Sequence, residues 1–180
     1  MDDSILSLQG TTYFIGVIVG SVIWMRLADI IGRKPIILMG LILYGATLLV
    51  MFLVKEEWVI FFGYWVMGFQ LPNTCQASYL LMMELLAPEH RSRYTSLTNI
   101  MDALCNLWLP FFFRYSPSYI YLLIGVAALV VIAFFGVLII TPESPRYLIT
   151  KKKYAQAHKI LATIARCNRK PKPDHIRFHG

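Results

Sequence analysis

Asp102 is the residue whose type and position most directly imply chemistry. It lies well inside an apolar run at 95–113, where a carboxylate costs about 2.5–3.5 kcal/mol on insertion scales and must face protein or water. Thr95, Thr98, Asn99 and Asn106 recur around it at helical spacing, so one face of a helix carries these polar groups. Such a face can line a cavity that holds a cation, a proton or a hydrogen-bonding solute. It can equally hold a protonated Asp102 against a neighbouring helix as structural glue. A second polar set, Gln70, Asn73 and Thr74, repeats at three and four residues beside Pro72. There a polar face coincides with an expected bend, again as a cavity wall or as a polar contact between helices.

Charge of both signs gathers at three other places. Arg26 to Lys34 holds Asp29, Gly32, Arg33 and Lys34; the stretch 83–94 holds Glu84, Glu89, Arg91 and Arg93; and Thr141 to Leu148 holds Glu143, Ser144, Pro145 and Arg146. Taken alone, Arg33 and Lys34 read as charges that set membrane topology. Exposed ion pairs contribute only about 0–1 kcal/mol each, so three such clusters on one face suit a gate that makes and breaks together better than a strut. No nucleophile with a base, phosphate-cradling loop or metal-ligand spacing is present in the sequence, so no enzyme, metal or cofactor is expected. His90, His158, His175 and His179 all fall outside the apolar runs, which argues against a histidine proton relay through a bilayer.

The elements that must position these residues are spans. The chain is 57% apolar and 15% charged with a mean hydropathy of +0.59, against a quarter charged in ordinary soluble domains. Five apolar runs, at 8–25, 36–54, 58–82, 95–113 and 118–140, are each long enough to cross a hydrocarbon core of about 30 Å. Of the 17 Lys and Arg, two, Lys55 and Arg114, fall on one side of such an arrangement and the other 15 on the opposite side. The positive-inside rule then places the C-terminus in the cytoplasm and the N-terminus outside. The net charge of +7 sits at span ends and not along a solvated groove, which excludes nucleic acid as a partner. Gly16, Gly20 and Ser21 read as close helix contact, and Trp24 and Trp58 as interface anchors. Cys75, Cys105 and Cys167 form no disulfide framework, and the acidic start lacks the basic region of a secretory signal.

Pro142 and Pro145 end the last run. Beyond them Tyr154, Ala157, Leu161, Ile164 and Ala165 recur at helical spacing, with Lys152, Lys159, Arg166 and Arg169 largely off that stripe. This predicts a cytoplasmic amphipathic helix over 151–170, which on composition alone could lie on anionic lipid. The division is thus a membrane part, 1–141, and a cytoplasmic part, 142–180, ending in the start of a linker.

The segments LADIIGRK at 27–34, YLLMMELLAPEHRSR at 79–93 and PESPRYL at 142–148 resemble, in order and spacing, the N-terminal half of the major facilitator superfamily. The likeness is to its sugar porter, organic ion transporter and synaptic vesicle glycoprotein branch. It covers nearly the whole chain and implies an all-α membrane fold, the five spans corresponding to that family's second to sixth. Met25, Tyr64 and Ser92 depart from the pattern, standing where glycine, arginine and glycine are usual. The resemblance implies a secondary transporter moving a small organic solute, an organic ion or a sugar, by alternating access. Asn99 and Cys105 stand where sugar porters carry glutamine and glycine, and Asp102 tilts the expected solute toward a cation or proton coupling. The partners expected are that solute and protons, the lipid bilayer, and a C-terminal half or another membrane subunit. The alternative is a non-transporting scaffold or accessory subunit derived from a transporter half.

Overall fold

The computed structural model describes residues 3–54, 56–115 and 119–167. All regular structure among them is helical: α1 (Asp3–Ile31), α2 (Arg33–Leu53), α3 (Glu57–Pro72), a π-helical turn (Asn73–Ala77), α4 (Ser78–Leu85), α5 (Pro88–Tyr115), α6 (Tyr119–Ile139), α7 (Pro145–Thr150) and α8 (Tyr154–Cys167). Lys55, residues 116–118 and the linker expected beyond 167 lie outside the described residues.

The helices outrun the apolar segments that predict them. α1 continues through Arg26 and Asp29 to Ile31, and α5 starts at Pro88, a residue suited to a first helical turn because its missing donor has no partner there in any case. The expected loop at 83–94 shrinks to Leu86 and Ala87, so Glu84 sits on α4 and Arg91 and Arg93 on α5. Three helices pass as membrane spans on length and composition: Ser7–Ile31, Arg33–Leu53 and Ile120–Ile139. The run at 58–82 does not, because Pro72 and the π turn divide one helical rod into α3 and α4. The run at 95–113 does not because its polar stripe and the charged first turns of α5 lower its apolar content.

Lipid tails supply no hydrophobic force between helices, so spans associate by close backbone packing at small residues. α1 and α3 make the most extensive contact, and there a Cβ on Gly16, Gly20 or Gly68 would overlap the carbonyl oxygen of Trp65, Phe69 or Tyr13. Trp24, read from the sequence as an interface anchor, is instead 7% exposed, and its indole N–H donates to the Phe69 carbonyl at 2.9 Å. Its amphipathic ring closes this seam with Ala28 and Ile36. A second cluster, Ile37, Leu41, Ala77 and Leu81, joins α2 to the α3–α4 rod and takes Val130, Phe134 and Val137 from α6. Outward faces carry large apolar side chains, among them Phe14, Ile18, Ile132 and Trp58, which is 84% exposed. An apolar surface of this extent is what a bilayer covers.

The seam predicts a sharp contrast between glycines. Gly68→Leu drives a side chain into the α1 backbone, and its melting temperature in detergent falls by an amount corresponding to about 1–3 kcal/mol or more. Gly125→Leu, on an α6 face with open space around it, leaves the melt unchanged. Equal melts for the two variants would contradict the packing described.

Candidate functional site

Two sites emerge, a polar knot at one end of the bundle and an open cleft on its side, where Thr98, Asn99 and Asp102 are exposed. The knot begins at the turn between α1 and α2, a single residue, Gly32, with φ +118°, a conformation costly for any side chain. A turn this short leaves the last carbonyls of α1 and the first N–H groups of α2 side by side without helical partners. The segment after α6 supplies both kinds of partner. Glu143 Oε1 accepts from the backbone N–H of Arg33 (3.1 Å), Lys34 (3.2 Å) and Ser144 (3.1 Å). The Tyr147 hydroxyl serves the carbonyls of Ile31 (2.8 Å) and Ile30 (3.2 Å). A carboxylate at the start of α2 also meets the positive end of that helix. Lys34 Nζ donates to the Leu138 carbonyl at 2.9 Å, at the closing turn of α6.

Arg33 then turns inward. Its Nη1 is 2.7 Å from Glu84 Oε1, with the two side chains 12% and 10% exposed, whereas Asp29 approaches it only at 3.8 Å and is 76% exposed. The fully buried Ser144 hydroxyl donates to the other Glu84 oxygen and accepts from the Tyr147 N–H at 3.2 Å, capping α7, with Pro145 in its first turn. Ends of α1, α2, α4, α6 and α7 are thereby fastened by Glu143, Arg33, Glu84, Ser144, Lys34 and Tyr147. The premise that the charges form exposed pairs does not hold for Arg33 and Glu84. A buried pair behaves differently, since removing one partner strands the other charge at a cost of about 3–5 kcal/mol. Arg91, Arg93 and Arg146, assigned to the same gate from the sequence, are exposed and form no ion pair with another described residue. Arg91 Nε donates instead to the Leu86 carbonyl at 3.3 Å.

The cleft, about 620 Å³, opens between the π turn with α4 on one side and α5 on the other, and Thr74, Cys75, Tyr79, Tyr94, Thr98, Asn99 and Asp102 line it. Pro72 removes a backbone donor, and in the π turn that follows, the Thr74 hydroxyl donates to the Gln70 carbonyl at 3.0 Å. Opposite, the hydroxyls of Tyr79 and Thr95 are 3.0 Å apart and bridge α4 to α5. The wall therefore offers one carboxylate, two amides (Gln76 and Asn99), several hydroxyls and two aromatic faces, a set suited to holding a small polar or cationic solute.

Of the residues grouped with these from the sequence, Asn106 lies outside the cleft and donates to the Asp102 carbonyl on its own helix at 2.9 Å. Gln70 and Asn73 are fully buried and point at α2, where Asn73 Nδ2 donates to the Ile36 carbonyl at 2.9 Å. For these two the geometry matches the helix-contact alternative. Tyr79, Tyr94 and Cys75 join the cleft as residues that polarity within the apolar runs does not single out, although helical spacing links Tyr94 to Thr98 and Asp102, and Cys75 to Tyr79. Tyr147 lay within PESPRYL without a role.

A helical, multi-pass membrane chain with a cleft lined by polar side chains between its helices has the architecture common among membrane transporters. More closely, the chain belongs to the family described as sugar (and other) transporter, whose profile matches residues 3–176, in the sugar porter and organic ion transporter branch of the major facilitator superfamily. It is 30% identical over 171 residues to solute carrier family 22 member 14 of Homo sapiens, covering 91% of this chain and 27% of that protein. It is 27% identical over 152 residues to probable inositol transporter 3 of Arabidopsis thaliana, covering 83% and 26%. It is also 27% identical over 177 residues to sugar transporter STL1 of Saccharomyces cerevisiae, covering 87% and 30%. The chain thus spans less than a third of the length of these relatives.

The knot makes distinct predictions for its arginines. Arg33→Ala loses about 3–5 kcal/mol of stability in detergent melts, while Arg33→Met with Glu84→Leu loses much less, because no buried charge is stranded. Arg146→Ala stays within about 0.5 kcal/mol of the native chain. A mild Arg33→Ala would show that the pair is solvated and the knot loose.

Proposed function

We propose that this chain forms the N-terminal half-bundle of a secondary transporter that moves a small organic solute by alternating access. In this reading the five apolar runs all cross the bilayer, residues 1–141 form the membrane part and 142–180 the cytoplasmic part. The knot then faces the cytoplasm and the N-terminus lies outside. The asymmetry of Lys and Arg supports that orientation, and family membership supports transport. A second half-bundle completes the path, with the solute bound between the halves.

The observation that carries the reading is the cleft around Asp102, because it gathers Thr74, Thr98 and Asn99 beside the carboxylate of the apolar run 95–113. Asp102 binds a cationic group of the solute or a coupled proton, and the hydroxyls and the Asn99 amide orient the rest. The knot gates indirectly. Its buried bonds make α1, α2, α4, α6 and α7 rock as one body, while the exposed Arg91, Arg93 and Arg146, and Asp29 beyond its loose 3.8 Å contact with Arg33, pair with the facing half in one state and part from it in the other.

Uptake by the full-length protein in proteoliposomes tests this. Radiolabelled organic cations, organic anions, inositol and hexoses are offered in turn, and at least one is expected to accumulate. For that solute Asp102→Asn lowers uptake by about tenfold or more with an unchanged melting temperature, in keeping with a lost charge-assisted contact of about 1.5–3 kcal/mol. Absence of uptake across all four classes would contradict transport. Full uptake by Asp102→Asn would remove the residue from the site.

A further inference from the structure

A second cleft, about 470 Å³, opens outside the bundle where α8 meets the end of α1, and Ile31, Glu143, Tyr147, Lys153, Gln156 and Lys159 are among the residues that line it. Its floor is apolar, formed by Ile31, Leu148 and Ile160, and its rim carries two lysines and an amide. Ile31 is the last residue of the long apolar helix Ser7–Ile31, just past Arg26 and Asp29, so the cleft lies at the charged end of that helix. Ile30 and Ile31 beside it are both exposed.

The chain is shaped to collect cations there. Lys152 takes a left-handed conformation, φ 58°, and the backbone N–H groups of Lys151, Lys152 and Lys153 return to the carbonyls of Tyr147, Ile149 and Leu148 at 3.0, 2.9 and 2.9 Å. That turn ends α7 and starts α8, and of its three consecutive lysines Lys153 lines the cleft. Lys151 Nζ sits 5.9 Å from the Tyr147 ring centre. Lys153 and Lys159 are exposed and form no ion pair with a described carboxylate. Gln156 and Lys159 share a face of α8 by their spacing of three. Glu143, the one acid in the cleft, has an oxygen committed to three backbone N–H groups at the start of α2, so its charge is offset there.

We propose that this cleft binds the headgroup of an anionic phospholipid, the phosphate held by Lys153, Lys159 and Gln156 and the glycerol end lying on Ile31 and Ile160. Soluble phosphate would use the same lysines but would have no use for an apolar floor that opens beside the exposed Ile30 and Ile31. The site adjoins the knot through Tyr147, whose hydroxyl binds the carbonyls of Ile30 and Ile31, so a bound headgroup steadies α7 and α8 against the membrane end of α1. This does not depend on which solute the protein moves.

Hydrogen exchange of residues 151–161 in the full-length protein tests the site, in nanodiscs of phosphatidylcholine alone and of equal parts phosphatidylcholine and phosphatidylserine. Exchange slows in the anionic discs by about fivefold or more, each basic contact near the surface being worth about a factor of five. Lys153→Gln with Lys159→Gln abolishes the difference, and Lys153→Arg with Lys159→Arg retains it. Inorganic phosphate added to neutral discs gives no slowing. Equal exchange in the two lipids, a lipid effect that survives the double glutamine variant, or protection by inorganic phosphate alone would each overturn the assignment.

Discussion

The structure depends on how two adjoining helix ends are satisfied at the one-residue turn between α1 and α2. A single glycine between two spans leaves the carbonyls of one helix and the N–H groups of the next without partners, and at a membrane edge they need protein to serve them. Glu143 and Tyr147 do so from more than a hundred residues away in sequence, which fixes where the chain re-enters after α6. That placement brings Ser144 onto Glu84, and Glu84 onto Arg33. Gly32 belongs to the same logic, since a side chain there would press on Glu143 and Tyr147 as well as strain the backbone.

A division of labour follows among charges that look alike in the sequence. Arg33 and Glu84 are nearly enclosed, and a pair of that kind holds elements together because separating it strands two charges. Asp29, Arg91, Arg93 and Arg146 are solvated, where pairing costs and gains little. The first group suits a body that moves as a unit, and the second suits contacts that form and break at the surface of such a body. The cleft around Asp102 lies beside the least regular part of the bundle, the π turn after Pro72, and π turns often accompany functional sites.

Much of this was legible in the sequence. Apolar length and the lysine and arginine asymmetry gave a helical membrane chain, and three segments, LADIIGRK, the stretch ending in EHRSR, and PESPRYL, gave the family. Gly16 and Gly20 were recognisable as close contacts because small residues four apart on an apolar helix have few other uses. The spacing of Thr98 and Asp102 placed both on one face, and the cleft has them so. What periodicity could not supply was the identity of the facing helix. Gln70 and Asn73 are polar on a regular stripe, yet that stripe turns toward α2, while Thr74, one residue on, turns toward α5. Trp24 near a span end resembles an interface anchor until its indole N–H is seen to reach the Phe69 carbonyl. Nor does a sequence reveal burial, which separates Arg33 from Arg91.

The central claim is that the buried knot makes the charged ends of these helices one rigid body. Pulsed EPR distances between spin labels at Ile30→Cys on α1 and Ile139→Cys on α6, in full-length protein with Cys75, Cys105 and Cys167 replaced by serine, test it most directly. The account predicts one narrow distance distribution in lipid, unchanged by any solute offered for uptake, and a broad one when Glu84→Gln is added. A narrow distribution that survives Glu84→Gln, or a native chain already broad, would contradict it.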